Sequence, residues 1–485
     1  MKRNALHPIQ RRESMRILTV AFFDDNFGDM LIRTCFLQLT KVALKNLNIS
    51  DYELDVMPLK KPNEEQVAAA DLVIFAGGGL FGLSYLGFAG FIERILDTAD
   101  AHRIPVIFSS LGINNMDATE ENENRLIQIL KRPCIKAISV REHADIFEHY
   151  APGHPYEIRP VCDPVVWAGA IYAADIASIL AEKAERKTPV VGLNVVRGGL
   201  FKDNGIDWTL TKEEQYLYDL SQRLEEKEID YRFFTNGSTW DVNTLRHFQK
   251  KFQIPREKLI ISDNSREVVR AIAGFDAVIA IRMHASIISY ALGVPSVNYV
   301  WNPKIPELYR KIGYPARAVG AADWTVDGAA MLTDELLAEQ DYHPDPDELM
   351  TLYRFLYDVY AANLPSNDRQ PVYDYETVRA QLLEMTVPAS EDELDLRTKL
   401  QRAESRYFTL FNSDDRKKGE IKRLKKDIDK LEKEKAKLQK DLKAEQKQRA
   451  ETEKARDAAK AEIKRLNQLF VMRAYNKLTG KNKKK

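Results

Sequence analysis

The chain has 485 residues, of which 44% are hydrophobic and 30% charged, enough for a substantial core and for two or three domains. No apolar stretch approaches about 18 residues, so no membrane-spanning helix is predicted, and three scattered cysteines argue against a disulfide framework. The net charge of zero conceals an asymmetry: residues 416–485 carry 26 Lys and Arg against 11 Asp and Glu, and the other 415 residues carry 46 against 61. The composition therefore predicts an acidic globular body with a basic tail.

The N-terminal residues 1–15 are basic and lack the apolar segment of a signal peptide, so we interpret them as an extension of a cytoplasmic protein. Short apolar segments then alternate with helical stretches, which is typical of parallel βαβ units. Strands are predicted at 16–24, 71–82, 104–114, 135–144 and 156–167, and again at 188–196, 230–237, 257–263, 276–285 and 294–300. This pattern predicts an α/β protein with two Rossmann-like domains, 16–170 and 185–345, and further helices at 349–385 that pack on the body.

The composition changes again in residues 395–485, where charged residues dominate. A heptad register that places Ile421 at position a puts apolar side chains at most core positions: Leu424, Ile428, Leu431, Leu438, Leu442, Ile463, Leu466 and Phe470. Lys435 also falls at a core position, and four further polar residues, Glu445, Arg449, Thr452 and Arg456, interrupt the middle of the register. The tail is therefore predicted to be a basic helical coiled coil through which the protein self-associates, with a lone solvated helix as the alternative.

The segment DDNFGDM (24–30) follows the first strand and opens the first helix. Gly28 suits a turn, and Asp29 is expected to begin the helix and cap it. Asn26 and the free amides of such a turn offer hydrogen bonds to an anionic or sugar ligand.

The segment AGGGLFG (76–82) ends the second strand of the first series. Gly77, Gly78 and Gly79 would let the backbone approach a ligand closely, although a tight turn explains them equally well. Their spacing matches neither the dinucleotide fingerprint nor the ATP-binding loop.

Arg141 follows another predicted strand, and its alternative role is an ion pair with Glu142 or Glu148. Arg282 and His284 follow the strand that contains 277–281, and residues two apart on an extended segment share a side. A guanidinium matches carboxylate or phosphate, and an imidazole exchanges a proton near neutral pH. The alternative is a helix-capping His284 beside a surface Arg282. Since open α/β sheets bind ligands at the carboxyl ends of their strands, we expect a cleft between the two domains.

Taken in chain order, several motifs resemble the polysaccharide pyruvyl transferase family over about residues 16–330. These are NFGD (26–29), DLVIFAGGGLFG (71–82), AISVREHADI (137–146), CDPVVW (162–167) and AVIAIRMHASIISYALGVPSV (277–297). The resemblance implies a fold similar to the GT-B glycosyltransferases, with the active site between the domains. It also implies phosphoenolpyruvate as donor and a sugar hydroxyl pair as acceptor, giving a pyruvate ketal in cell-surface glycan biosynthesis. The family often has Leu and Gly where this chain has Met283 and Ala285.

For that chemistry, Arg141 and Arg282 are predicted to clamp the donor, since phosphoenolpyruvate carries both a carboxylate and a phosphate. The donor site also takes in the other strand-end candidates, which are Asn26, Gly77, Gly78 and Gly79. His284 is predicted to be the general acid or to stabilise the departing phosphate, and Asp29 to be the base for the acceptor hydroxyl. Neither a metal nor a cofactor is expected beyond phosphoenolpyruvate as donor substrate, and the acceptor is a glycan or a lipid-linked sugar.

Two other functions fit parts of the sequence. A GT-B-like glycosyltransferase could hold the diphosphate of a nucleotide-sugar in the same cleft, and a non-catalytic interaction protein would act through its coiled coil. The C-terminal stretch NQLFVMRAYNKLTGKNKKK (467–485) also predicts a peripheral contact with an anionic membrane at the inner face, or alternatively a merely solubilising end. Nothing resembles a module that reads nucleic acid.

Overall fold

The computed structural model describes residues 14–23, 26–82, 86–113, 118–365, 373–388 and 425–444, with shorter pieces at 447–448, 451–452, 456, 460, 462 and 466. The chain divides into two compact units, Met1–Asp395 and Leu396–Lys485. Most of the expected N-terminal extension lies outside the described residues, and so do Asp24 and Asp25 of the first motif.

The first lobe of the larger unit is built on a parallel sheet with the strand order β2-β1-β3-β5-β6-β7, in which β4 pairs additionally with β5. Its strands are β1 (Met15–Ala21), β2 (Tyr52–Pro58), β3 (Leu72–Phe75), β4 (Gly78–Phe81), β5 (Val106–Ile113), β6 (Ile135–Val140) and β7 (Ile158–Pro160). Its helices are α1 (Phe27–Asn46), α2 (Glu64–Ala69), α3 (Ala89–His102), α4 (Glu120–Leu130) and α5 (Ala144–Tyr150). The sequence analysis missed β2, which lies at the edge of this sheet.

Helices α6 (Ala168–Ile171) and α7 (Ala173–Glu185) lead to the second lobe, whose parallel sheet has the order β10-β9-β8-β11-β12-β13. Its strands are β8 (Val190–Asn194), β9 (Asp230–Thr235), β10 (Leu259–Ile261), β11 (Ala277–Ala280), β12 (Ser296–Tyr299) and β13 (Ala318–Val319). Its helices are α8 (Leu200–Asp203), α9 (Leu210–Glu226), α10 (Thr239–Phe252), α11 (Ser265–Ala273), α12 (Met283–Ala291), α13 (Lys304–Lys311) and α14 (Val326–Ala338). This strand order is that of a Rossmann fold. Two parallel sheets with helices confirm the predicted α/β class.

Two further helices, α15 (Pro346–Asn363) and α16 (Tyr375–Leu383), return to the first lobe and pack on α1. The Tyr360 hydroxyl lies 2.9 Å from Thr40 Oγ1, and Asn46 donates to the Tyr353 hydroxyl at 2.8 Å. One cluster of buried apolar residues includes side chains of α1, α12, α15 and strands of both sheets. The two lobes of the larger unit therefore share a core.

The smaller unit contains a helix over 425–444. On this helix Ile428 and Leu431 are half-buried, whereas Leu438 and Leu442 are 49% and 55% exposed. Several predicted heptad positions, among them Ile421 and Phe470, lie outside the described residues, as does the proposed membrane-contacting end at 467–485. The helix is confirmed over 425–444, and the coiled coil stays a prediction.

Within the described part of the chain, no single helix combines the length and the apolar character needed to cross a membrane. One pair joined at a 70° bend, Pro164–Ile171 with Ala173–Glu185, meets both criteria together.

Candidate active site

Each sheet has a topological switch point, where later strands are added on the other side of the first strand. It lies between β1 and β3 in the first sheet and between β8 and β11 in the second. Ligands bind beyond the carboxyl ends of the strands at such switch points. A cavity of about 250 Å³ lies there, shared by the two lobes. Its polar lining includes Asn26, Asp29, Gly79 and Arg141 from the first lobe, and Asn236, Arg282, His284 and Lys304 from the second.

Six residues that the sequence singled out therefore come together: Asn26, Asp29, Gly79, Arg141, Arg282 and His284. Gly77 and Gly78 are not part of the cavity lining. Both have positive φ angles, +103° and +96°, at the irregular junction where the chain passes from β3 to β4 along β5 and reaches Gly79. A side chain at Gly78 would also meet the Phe22 ring at 2.9 Å, so these two glycines serve the backbone conformation of this junction and the packing around it.

The start of α1 differs from the prediction. Asn26, not Asp29, caps the helix, since its side chain accepts the Gly28 amide at 3.1 Å. Asn26 also donates to Asp29 at 2.7 Å, which fixes both side chains in the first turn. Gly28 does not need an unusual backbone conformation, because it is helical.

Gly28 is needed for space. A Cβ atom at this position would lie 2.3 Å from His284 Nδ1 and 2.5 Å from His284 Cγ. The imidazole of the second lobe therefore packs directly on the backbone of the first helix of the other lobe. The absence of a side chain at residue 28 determines where the His284 ring can lie.

His284 belongs to a helix and not to an extended segment, so the expected alternation of Arg282 and His284 was wrong. Arg282 has extended dihedral angles and is the N-cap of α12, and Met283 is already helical. Both side chains nevertheless reach the cavity, since the first turn of a helix that leaves a strand end lies at the sheet's carboxyl edge.

Arg141 is almost completely buried, with 6% of its side chain exposed. Its guanidinium lies 2.8 Å from Glu142 Oε2 and donates from Nη1 to Asp163 Oδ2. The ion pair with Glu142 that the sequence left as an alternative is therefore present. Gly112 on β5 leaves room for this group, since a Cβ there would lie 2.8 Å from Arg141 Nε.

Asp163 is the residue that the CDPVVW motif contributes to the site. Burial alone would raise the pKa of its carboxyl, but Arg141 and His284 outweigh this effect and hold the pKa of Asp163 well below its usual range. The Asp163 carboxylate lies 3.7 Å from His284 Nε2, which is too far for a hydrogen bond. A fixed negative charge therefore stands beside the imidazole.

Arg282 is held in a bidentate ion pair by Asp241 of α10, at 2.8 Å from Nε and 2.7 Å from Nη2. Asp241 is fully buried, and it also accepts the Arg197 amide at 2.7 Å. A side chain at Gly237 would overlap with the pair, because its Cβ would lie 1.5 Å from Asp241 Oδ2. The plane of the guanidinium is therefore fixed, and Nη1 stays outside the pair with Asp241.

Lys304 is a cation that the sequence analysis missed. It begins α13, is 6% exposed, and its Nζ lies 3.6 Å from Glu142 Oε1. Burial lowers the pKa of Lys304 to about 8, and the Glu142 carboxylate opposes the shift. The ammonium therefore loses its proton closer to neutral pH than an ordinary lysine does.

Other residues that the sequence analysis missed are Asn236, which follows β9, and Trp301, which follows β12. Each is a large or polar side chain directly after a strand, the rule that identified Arg141 and Arg282. Asp241 is different: it reaches the site from the first turn of a helix, and no local signal marks it. Among the described residues, no group of three or more His, Cys, Asp or Glu side chains could hold a metal ion.

Comparison with solved structures finds distant similarity to UDP-GlcNAc 2-epimerase from Methanocaldococcus jannaschii, with 9% identity, 72% of this chain and 100% of that chain covered, and a TM-score of 0.48. Alpha,alpha-trehalose 6-phosphate synthase from Burkholderia multivorans is 10% identical, with 66% of this chain and 75% of that chain covered and a TM-score of 0.34. Such distant likenesses say nothing of activity, and the fold class rests on the strand topology. No curated protein matches the chain.

The family model of polysaccharide pyruvyl transferases matches residues 26–303, which is more than half of the chain. The match begins at the helix cap Asn26 and ends one residue before Lys304, so it contains the strand ends that line the cavity from both lobes. The chain belongs to the polysaccharide pyruvyl transferase family.

Proposed function

We propose that this protein moves the enolpyruvyl group of phosphoenolpyruvate onto a pair of sugar hydroxyls, releasing phosphate and leaving a pyruvate ketal. The observation that carries the proposal is the shared cavity, into which the first lobe brings Arg141 and the second brings Arg282 and His284. A donor with a carboxylate and a phosphate needs separate cationic contacts for its two ends. In this proposal Arg141 and Arg282 supply them, one from each lobe, and each is oriented by a carboxylate partner.

The reaction needs two proton movements and no redox step. The methylene carbon of the donor takes a proton, the neighbouring carbon bonds to the first acceptor oxygen, and the C–O bond to phosphate breaks as the second oxygen closes the ring. One hydroxyl proton balances the new methyl group, and the other leaves with the phosphate. In this proposal His284 donates a proton and Asp29 accepts one, and both side chains line the cavity.

The acceptor in this proposal is a sugar of a glycan or of a lipid-linked precursor. Phe22, Phe88 and Trp301 line the same cavity as the charged groups. Trp301 donates its indole N–H to the Ile281 carbonyl at 2.6 Å, which fixes the ring. Flat apolar faces next to a few placed polar groups are typical of a pocket that binds a small polar molecule such as a sugar.

The test is phosphate release from phosphoenolpyruvate in the presence of galactosyl and N-acetylmannosaminyl acceptors, with the ketal identified by mass spectrometry. We expect His284→Asn to lower kcat by about 100-fold or more, since general acid catalysis contributes a factor of that order. His102→Asn, an exposed histidine in the last turn of α3, is the matched control and should keep the wild-type rate. A His284→Asn protein as fast as this control would refute the assignment.

A further inference from the structure

The side chain of Asn194, at the end of β8, is buried and its orientation is determined by the backbone. Its Oδ1 accepts the Arg282 amide at 2.9 Å and the Ile281 amide at 3.3 Å. A backbone N–H can only donate, so the atom facing these two amides must be the oxygen. The Nδ2 group of Asn194 therefore points the other way, where it donates to Asn236 Oδ1 at 3.2 Å.

The same logic fixes Asn236. Because its Oδ1 is used by Asn194, its Nδ2 group faces away from Asn194. Asn236 is 1% exposed and lines the cavity, and its Nδ2 has no hydrogen-bond partner among the described residues. Buried amide donors are almost always paired in native proteins. An orphan donor on a residue that lines the cavity therefore leaves one hydrogen bond that an acceptor atom of a ligand would complete.

The N-terminus of α12 opens on the same wall. This helix has nine residues, its N-cap Arg282 makes no side-chain capping bond, and Arg282, Met283 and His284 all line the cavity. The first amides of a helix have no partner within it and carry partial positive charge, which favours phosphoryl groups. Arg282, fixed by Asp241, adds an oriented guanidinium beside them.

We propose that Asn236 Nδ2, the Met283 and His284 amides at the start of α12, and Arg282 form a phosphoryl-binding subsite on the second lobe. Every group in it donates, and the oxygens of a phosphoryl group only accept. Three kinds of donor, the Asn236 amide after β9 and the backbone amides and Arg282 guanidinium at the start of α12, suit the three oxygens of a tetrahedral group better than the two of a planar carboxylate. If the proposed function holds, on which this assignment of the donor rests, the subsite takes the phosphate of phosphoenolpyruvate; a nucleotide-sugar diphosphate has the same chemistry.

The test measures binding of phosphoenolpyruvate, inorganic phosphate, uridine diphosphate and pyruvate to the full-length protein by calorimetry. We expect Asn236→Ala to weaken the binding of inorganic phosphate and of the phosphorylated ligand by about 10- to 100-fold, the effect of one hydrogen bond to a charged group. The affinity for pyruvate should not change. Asn236→Asp keeps the shape of the side chain and adds a negative charge that repels the phosphate, so it should weaken binding of the phosphate ligands by about 100-fold or more. Asn204→Asp adds the same charge at an exposed position of the second lobe and is the control.

Each result separates the two proposals. Loss of phosphoenolpyruvate binding in the Asn236 variants supports the subsite together with the donor. Loss of uridine diphosphate binding by a protein that ignores phosphoenolpyruvate supports the subsite and refutes the proposed function. The subsite is refuted if both variants, folded by circular dichroism, bind phosphate ligands like the Asn204→Asp control, if pyruvate alone is weakened, or if the wild type binds none of the phosphate ligands.

Discussion

The substitution Gly28→Ala tests the contact between the two lobes at the heart of the site. The new Cβ would lie 2.3 Å from His284 Nδ1, whereas ordinary carbon–nitrogen contacts begin near 3.4 Å, so the imidazole must move by about 1 Å. A misplacement of about 1 Å in a catalytic group can cost about 100-fold in rate. Alanine is favoured over glycine in a helix by about 1 kcal/mol, which is similar to the cost of about 1 kcal/mol for an off-rotamer histidine.

We therefore expect Gly28→Ala to fold with a free energy of unfolding within about 1–2 kcal/mol of the wild type, and to lose about 100-fold in kcat. The assay is phosphate release from phosphoenolpyruvate, with thermal denaturation in parallel. Gly90→Ala is the matched control, because it is also in the first turn of a helix and its Cβ would meet nothing closer than 3.7 Å. A Gly28→Ala protein with wild-type turnover would show that the position of His284 does not matter for the reaction.

Further predictions concern Lys304, Asp241 and the tail. Since burial lowers the pKa of Lys304 from 10.5 to about 8, Lys304 loses its positive charge as the pH rises through 8. The kcat/KM for phosphoenolpyruvate should fall over the same pH range. Lys304→Arg should keep kcat/KM constant to higher pH, because arginine stays protonated. The folded state also binds fewer protons at Lys304 than the unfolded state between pH 8 and 10.5, so this residue makes the free energy of unfolding rise with pH in that window. Replacement of Asp241 by Asn should release one arm of Arg282 and raise KM for the donor by about 10-fold or more, and an unchanged KM would mean that Asp241 does not orient Arg282. Removal of 395–485 should leave turnover intact and lower the number of subunits in the assembly, measured by sedimentation. Loss of turnover would favour the tail as the functional part.

The sequence could predict those elements whose signal is local. Buried strands such as β3 and β11 have continuous apolar runs, and both lie close to their predicted positions. The edge strand β2 has the sequence YELDVMP and alternates half-buried and exposed residues over most of its length, so its apolar signal is weak. Strand β13 contains two residues and gives no pattern.

The site was predictable to the extent that it follows the strand ends. One rule, a functional side chain after a parallel strand, identified Arg141 and Arg282 but was not applied to Asn236 after β9. The partners that fix these groups could not be found in the same way. Asp163 is close to its arginine only after the chain has folded, 22 residues on, and Asp241 reaches Arg282 across 41 residues.

Those partners change how the site can recognise an anion. The cavity is lined by Arg141, Arg282 and Lys304, and each lies within ion-pair distance of Glu142, Asp163 or Asp241. Buried arginines without such carboxylates would destabilise the folded state, because an unpaired charge loses its hydration and gains no compensating interaction. The pairing removes most of the excess positive charge that would attract any anion indiscriminately. What remains is direction: fixed guanidinium planes, helix amides and an orphan amide donor, which favour an anion whose oxygens match their positions over one that merely carries charge.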